Sequence, residues 1–300
     1  MTLKVVTRFA PSPTGFLHLG HAYSAVFGFQ AARNSGGRFL VRIEDIDFTR
    51  CHVEFEQGIF EDLKWLGLEW EMPARRQSEH RSDYLAAAEQ LRSRGLLYPC
   101  FCTRKDIQRE IDAAAGAPHG LEGPMYPGTC RSLSEDERQS RIAGGESYAI
   151  RLDVNRALDD VGSDLEWIDL KRGIQRAEPQ MLGDIVLVRK DIGCSYHLAV
   201  VVDDALQGVT RITRGEDLFE ATHLQRLLQA LLGLPTPEYQ HHPLISDASG
   251  RRLAKRDEAE TLQSLRMRGV SAQEVRQRLG FKTVEYATNF RSTNNAGLDL

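Results

Sequence analysis

The chain has no run of about 18 consecutive apolar residues, the length a helix needs to cross a bilayer, so a membrane-spanning helix is not expected. Its N-terminus lacks the basic, then apolar, then small-residue order of a secretory signal, and the cytoplasm is the expected compartment. Cysteine is scarce: there are five among 300 residues, and a reducing compartment argues against disulfides. There is no surplus of positive charge either. A net charge of -4 is not that of a protein that coats nucleic acid through clustered Lys and Arg, so any RNA contact is expected to be local. No internal repeat or low-complexity tract stands out. What is present, 41% hydrophobic and 27% charged residues, suffices for one large domain with an insertion, or two domains.

The most informative stretch runs from Arg8 to His21, where an apolar strand feeds a Pro/Gly turn that opens a helix with His18 and His21 on its first turn. Leu3 to Phe9 reads as a buried strand, His18 to Arg33 as a helix stopped by Ser35-Gly36-Gly37, and Arg38 to Ile43 as the next strand. Strand, turn, helix, strand is a βαβ unit, and the positive end of its helix offers N–H groups to phosphate. Far along the chain, Ser249 to Arg256 is a turn with four cations in six residues, a type suited to closing over a triphosphate. The α/β pattern continues with helices at His52 to Leu66 and Ser78 to Arg94, and at Asp217 to Leu232, where Leu224, Leu227, Leu228 and Leu231 have core spacing. Asp184 to Lys190 and Tyr196 to Val202 read as strands that resume the sheet.

Between Tyr98 and about Gln180 the composition shifts to Cys, Pro, Gly and charge, with short strand-like pieces such as Tyr148 to Leu152. The expected fold is α/β, a doubly wound, Rossmann-type parallel sheet with an inserted zinc-binding subdomain and a short helical C-terminal extension. The expected division is 1–97 and 181–256 for the two halves of the nucleotide-binding domain, 98–180 for the insert, 257–286 for the extension with a capping box at Ser271 and Glu274, and 287–300 for a disordered tail.

The first and last motifs resemble the HIGH and KMSKS signatures of class I aminoacyl-tRNA synthetases. Their flanks resemble the glutamyl-tRNA synthetase branch: Arg8-Phe9-Ala10-Pro11-Ser12, Arg42-Ile43-Glu44-Asp45-Ile46-Asp47, Tyr196 through Asp204, and Arg214-Gly215-Glu216-Asp217-Leu218 stand in the family's order. The likeness extends from about Thr7 to about Glu258. The stretch after Arg256 is too short for the helical anticodon-binding region of that branch, so the layout is similar to its truncated paralogues. That resemblance implies activation of L-glutamate with ATP and transfer to the queuosine base of tRNA(Asp). A truncated glutamyl-tRNA synthetase charging the tRNA 3′ end, or a noncatalytic RNA- or protein-binding paralogue, are the alternatives.

Carried over from the family, Arg8 and Arg214 would grip carboxylates and Glu44 the ammonium of glutamate, with Ser12 and Tyr196 adding hydrogen bonds beside Phe9, Ala10 and Pro11. Which arginine takes the side-chain carboxylate is not legible in sequence. His18, Gly20, His21 and Lys255 would cradle ATP and its Mg²⁺, and His18, His21 and Lys255 would form the catalytic set. The loop departs from the family in carrying Arg252 for the first Lys and Ala254 for the Ser. Asp45 and Asp47 read as ion-pair partners of Arg42 or Arg50, outside that set.

Cys100, Cys102 and Cys130 supply three thiolates in short loops, which favours a closed tetrahedral Zn²⁺ site. The family likeness points to Tyr126 as the fourth ligand, whereas His119 is the chemically commoner choice. Cys51 and Cys194 read as buried free thiols.

Overall fold

The computed structural model describes residues 4–107, 119–120, 123–190, 193–245 and 260–281. The elements run β1 (Val6–Phe9), α1 (Leu19–Asn34), β2 (Arg38–Ile43), α2 (Val53–Trp65), β3 (Arg75–Arg76), α3 (Arg81–Ser93) and β4 (Leu97–Cys100), then the short pair β5 (His119–Gly120) and β6 (Gly123–Pro124). They continue with α4 (Glu135–Ala143), β7 (Ala149–Leu152), α5 (Val154–Val161), β8 (Glu166–Asp169), β9 (Gly173–Arg176), β10 (Val186–Arg189), β11 (Gly193–Cys194) and α6 (Tyr196–Leu206). Last come β12 (Arg211–Gly215), α7 (Ala221–Leu232), β13 (Glu238–His242), α8 (Leu262–Met267) and α9 (Ala272–Arg278).

Strands β1, β2 and β3 pair in parallel, and so do β12, β13 and β8, with β9 folding back antiparallel on β8. The two sets meet where the Thr210 N–H donates to the Val6 carbonyl over 3.0 Å. Chain order reverses at that seam between β1 and β12, and in open parallel sheets the crevice at such a reversal receives ligands. Strand β2 shows why the sheet is covered on both sides. Phe39, Val41 and Ile43 join one core with α1, α2 and the C-terminal helices, whereas Leu40 joins the other with α3, α6 and α7.

Helix α1 lies close on the sheet because its inner face is small: Ala22, Ala25, Val26, Gly28 and Ala32 are buried. A Cβ on Gly28 would come 2.8 Å from Thr213 Oγ1, and the Gly28 carbonyl accepts a hydrogen bond from Thr7 Oγ1. Glycine is required there by close approach, not by a turn.

A second, antiparallel sheet has the order β11, β10, β7, β4, with Cys100 at the end of β4 and Cys194 on β11. Strand pairing crosses the expected limit near residue 180: β8 belongs to the parallel sheet, and β10 belongs to the antiparallel one. Asp184 to Lys190 therefore forms a strand without resuming the parallel sheet. Tyr196 to Val202, read as a strand, is instead the first two turns of α6. Leu198 through Val202 are all buried, and an apolar run buried on every side has no period by which helix and strand can be told apart. The capping box at Ser271 and Glu274 opens α9 as expected. Among the described residues no helix is long and apolar enough to cross a membrane. The cationic turn 249–256 and the tail 287–300 lie outside the described residues.

Candidate active site

A cavity of about 560 Å³ opens at the seam between β1 and β12. Its lining includes Arg8, Phe9, Ala10, Pro11, Ser12, His18, Gly20, His21, Glu44, Tyr196 and Arg214, so every expected glutamate- and ATP-binding residue except Lys255, which lies outside the described residues, borders one space. Distant parts of the chain meet because each motif ends or opens an element at the carboxyl edge of the sheet. The Glu44 N–H donates to the Pro11 carbonyl (3.0 Å), tying the end of β2 to the turn after β1.

At the turn that opens α1, the Gly20 N–H donates to His18 Nδ1 (3.0 Å) and the His18 N–H donates to His21 Nδ1 (3.3 Å). These bonds form a capping box for α1 and set both tautomers: each ring keeps its proton on Nε2, as a donor. Burial lowers the His18 pKa, and burial together with His18 pushes His21 down to about 3, so both rings are neutral near pH 7. Neutral N–H donors suit oxygens on which charge develops.

Two arginines stand at the other end. Arg8 faces Asp204, donating from Nε to Oδ1 (2.9 Å) and from Nη2 to Oδ2 (3.3 Å), and Arg42 donates to the same Asp204 over 2.7 Å. Arg42 also reaches Glu44 Oε1 (3.1 Å). Burial pushes the Glu44 carboxyl up, and Arg42 and Arg8 oppose that without cancelling it. Arg214 is different. Its Nε donates to His241 Nε2 (3.1 Å), Nη1 to Gln225 Oε1 (2.8 Å) and Nη2 to Thr222 Oγ1 (2.6 Å), and among the described residues no carboxylate is in ion-pair range. A guanidinium has five N–H donors, so one remains on each terminal nitrogen of Arg214.

Asp45 accepts from the Ser78 N–H (2.8 Å) and Oγ (2.6 Å), and Asp47 accepts from Thr49 Oγ1 (2.6 Å). The ion pairs expected for them with Arg42 or Arg50 do not form among the described residues, because Asp204 and Glu44 claim Arg42 in the interior.

Beyond the end of β4, where the turn 129–132 packs against it, the sulfurs of Cys100, Cys102 and Cys130 lie within 4.8 Å of one another. Tyr126 Oη is 3.4 Å from Cys100 Sγ and 3.7 Å from Cys102 Sγ. All five cysteines are free thiols, which sets aside a disulfide. Three converging sulfurs with a phenol oxygen in reach make a donor set that fits a tetrahedral metal ion. Only backbone is described at His119, on β5. Cys194 is buried as expected, but Cys51 is only half-buried, at the exposed entry to α2.

Residues 4–289 match the family model for tRNA synthetases class I (E and Q), catalytic domain. The chain belongs to that family. A curated relative from Rhodobacter capsulatus, named glutamyl-Q tRNA(Asp) synthetase, is 47% identical over 92% of this chain and 100% of its own length. Another of the same name, from Nocardia farcinica, is 46% identical over 91% of this chain and 83% of its own. The crystal structure of a glutamate tRNA ligase from Elizabethkingia meningosepticum in complex with its amino acid superposes with a TM-score of 0.68 at 29% identity, covering 89% of this chain and 53% of that one.

This class I synthetase is thus a ligase, and some of its cavity was not anticipated. Behind its lining, Asp204 on α6 bonds Arg8 and His241 on β13 bonds Arg214, contacts between residues far apart in the chain that residue-by-residue reading missed. Ser24 and His242 line the cavity itself and bond each other over 2.8 Å. The Tyr196-to-Asp204 string did hold Asp204, but a polar residue closing an apolar run was the only signal.

Proposed function

We propose that the cavity joins L-glutamate to ATP as glutamyl-AMP and passes the glutamyl group to the queuosine base of tRNA(Asp). Arg214 carries this reading: a buried guanidinium without a carboxylate partner among the described residues, with one N–H left on each terminal nitrogen, lining the same cavity as the acidic Glu44. A substrate carboxylate would complete the charge pair that Arg214 lacks, and a bidentate fork favours a planar carboxylate over an amide. An ammonium group would meet Glu44, whose burial is relieved by an added cation. The α-carboxylate must stay free to react, so Arg214 takes the side-chain carboxylate. Arg8, already facing Asp204, helps to orient the α-carboxylate with Ser12 and Tyr196, against the wall of Phe9, Ala10 and Pro11.

Adenylation follows from placement. A carboxylate oxygen attacks the α-phosphorus of ATP, the bond to the β-phosphate oxygen breaks, and pyrophosphate leaves. His18 and His21 donate from Nε2 to phosphate oxygens and Gly20 allows close approach, while Lys255, outside the described residues, would add a cation. Mg²⁺ brought with ATP would supply charge that offsets that growing on pyrophosphate. A hydroxyl of queuosine then attacks the acyl carbonyl and AMP departs. The names of the relatives from Rhodobacter capsulatus and Nocardia farcinica support this acceptor. Cys100, Cys102, Cys130 and Tyr126 would hold a structural Zn²⁺, and the purified protein should contain about one equivalent by metal analysis.

The test is to incubate the protein with ATP, labelled glutamate and tRNA that contains or lacks queuosine, then map the label by nuclease digestion. Label on the anticodon stem-loop of queuosine-containing tRNA alone is expected. Label at the 3′ end would overturn the acceptor, and absence of glutamate-dependent ATP–pyrophosphate exchange would overturn the adenylation.

A further inference from the structure

We propose that Asp169 and His241 form a positioning relay that sets the orientation of Arg214 and so governs affinity for glutamate. The inference rests on the reading of Arg214 as the grip on the substrate's side-chain carboxylate. It starts from three parallel neighbours, β8, β13 and β12, each contributing one side chain near the carboxyl edge. Asp169 Oδ2 lies 2.7 Å from His241 Nδ1, and His241 Nε2 lies 3.1 Å from Arg214 Nε.

The proton positions follow from Arg214. A guanidinium Nε keeps its hydrogen at every relevant pH, so it donates and His241 Nε2 must accept. The imidazole proton is therefore on Nδ1, donated to Asp169. A protonated or flipped ring would set two donors against each other at the Arg214 end. Burial and the nearby Arg214 push His241 down to about 4, which keeps the accepting form.

Each member is held from behind. Asp169 Oδ1 accepts the N–H groups of Lys171 and Arg172 in the β8–β9 turn, both at 2.9 Å, so the carboxylate cannot rotate freely. The His241 ring sits among Phe219 (5.1 Å between centroids), Trp167 (6.0 Å) and Tyr239 (6.0 Å). Asp169 is fully buried and Arg214 nearly so. In that dry setting Asp169 is the negative charge that compensates Arg214, through a neutral ring that prevents direct pairing. A carboxylate bonded to Arg214 itself would occupy its fork. Compensation at one remove leaves the fork open while keeping the cation buried.

Asp169→Asn tests the relay most sharply, since an amide N–H at this position would favour the opposite tautomer and turn a donor toward Arg214. His241→Leu removes the acceptor, and His241→Gln restores one through its amide oxygen. All three are to be compared with the wild-type full-length protein and Arg214→Ala in ATP–pyrophosphate exchange, varying glutamate and ATP separately, with melting temperatures alongside. Asp169→Asn and His241→Leu should raise KM for glutamate about tenfold or more with KM for ATP within about twofold, and His241→Gln should recover most of the loss. Equal rises in both KM values, or His241→Gln no better than His241→Leu, overturns the relay. Should Asp169→Asn fail to fold, the two His241 variants decide. Wild-type exchange that Arg214→Ala leaves intact would instead refute the reading of Arg214 beneath it, so the two failures are distinct.

Discussion

Arg8 and Arg214 are both about 5% exposed and line the same cavity, yet their surroundings differ in kind. Arg8 shares the carboxylate of Asp204 with Arg42, so charges alternate through the interior, and these two arginines pull the Asp204 pKa below the usual carboxylate range against the push of burial. Arg214 meets only neutral partners directly: an imidazole, an amide and a hydroxyl. A buried charge answered directly by a carboxylate is first of all part of the architecture and has only its remaining N–H groups for a ligand, whereas one answered at a distance keeps its charge for one. The first corner builds the cavity. The second serves it.

The contrast breaks most readily at Asp204. Asp204→Ala leaves Arg8 and Arg42 without their shared carboxylate and should cost about 3–5 kcal/mol of stability, read from urea unfolding; a loss under about 1 kcal/mol would mean that water or Glu44 answers both arginines. Arg214→Ala should act first on activity. It should lower kcat/KM for glutamate in exchange by about 100-fold, the value of a charge-assisted fork of roughly 3 kcal/mol, with a smaller loss of stability than Asp204→Ala because Asp169 keeps its bonds from His241 and the Lys171 and Arg172 N–H groups. If stability falls as far as activity does, the two corners are not different in kind.

Asp62 extends the comparison to a buried anion. It lies fully buried on α2, neither carboxylate oxygen has a hydrogen-bond partner, and Arg266 Nη2 is 3.5 Å away. Burial pushes its pKa up from 3.8 to about 6, with Arg266 opposing. The folded state thus holds a proton that the unfolded chain has released. Its stabilising contribution is complete below about pH 4 and disappears as pH rises through about 6. Asp62→Asn should accordingly stabilise the protein by on the order of 2 kcal/mol at pH 8 and make little difference at pH 4, measured by thermal unfolding at both. A constant difference across that range would show that Asp62 is not titrating.

The smallest effect belongs to Glu44. Its pKa is raised by burial, so acidification neutralises it earlier than an ordinary glutamate, and the proposed ammonium partner loses its charge. KM for glutamate should rise severalfold as pH falls, and Glu44→Gln should start high and show no such slope. A parallel slope in the variant would assign the titration to another group.

Much of the site could be read without coordinates because its motifs are local. The Pro/Gly turn, the two histidines of the first helical turn and the C-x-C pair bring their groups together within a few residues, so spacing alone fixes what is near what. Glu44 was legible through the string Arg42 to Asp47 at the end of β2, where the next residue, Asp45, turns to Ser78 instead. The run from Tyr196 misled, since uniform burial erases the difference between periods of 2 and 3.6. The sheet to which residues 184–190 belong was equally hidden, because a short apolar strand carries no mark of its partner.

By itself the sequence determined the βαβ start, the turn that opens toward phosphate, the set of thiols and the inventory of acidic and basic groups, all consequences of short-range geometry and side-chain chemistry. Only the tertiary structure decided how those charges are matched. Asp204 reaches Arg8 across 196 positions, and Asp169 reaches His241 across 72. Which guanidinium is neutralised and which keeps an open fork depends on what the folded sheet excludes from water, and Coulomb pairing in a low-dielectric interior is a property of distance in space, not along the chain.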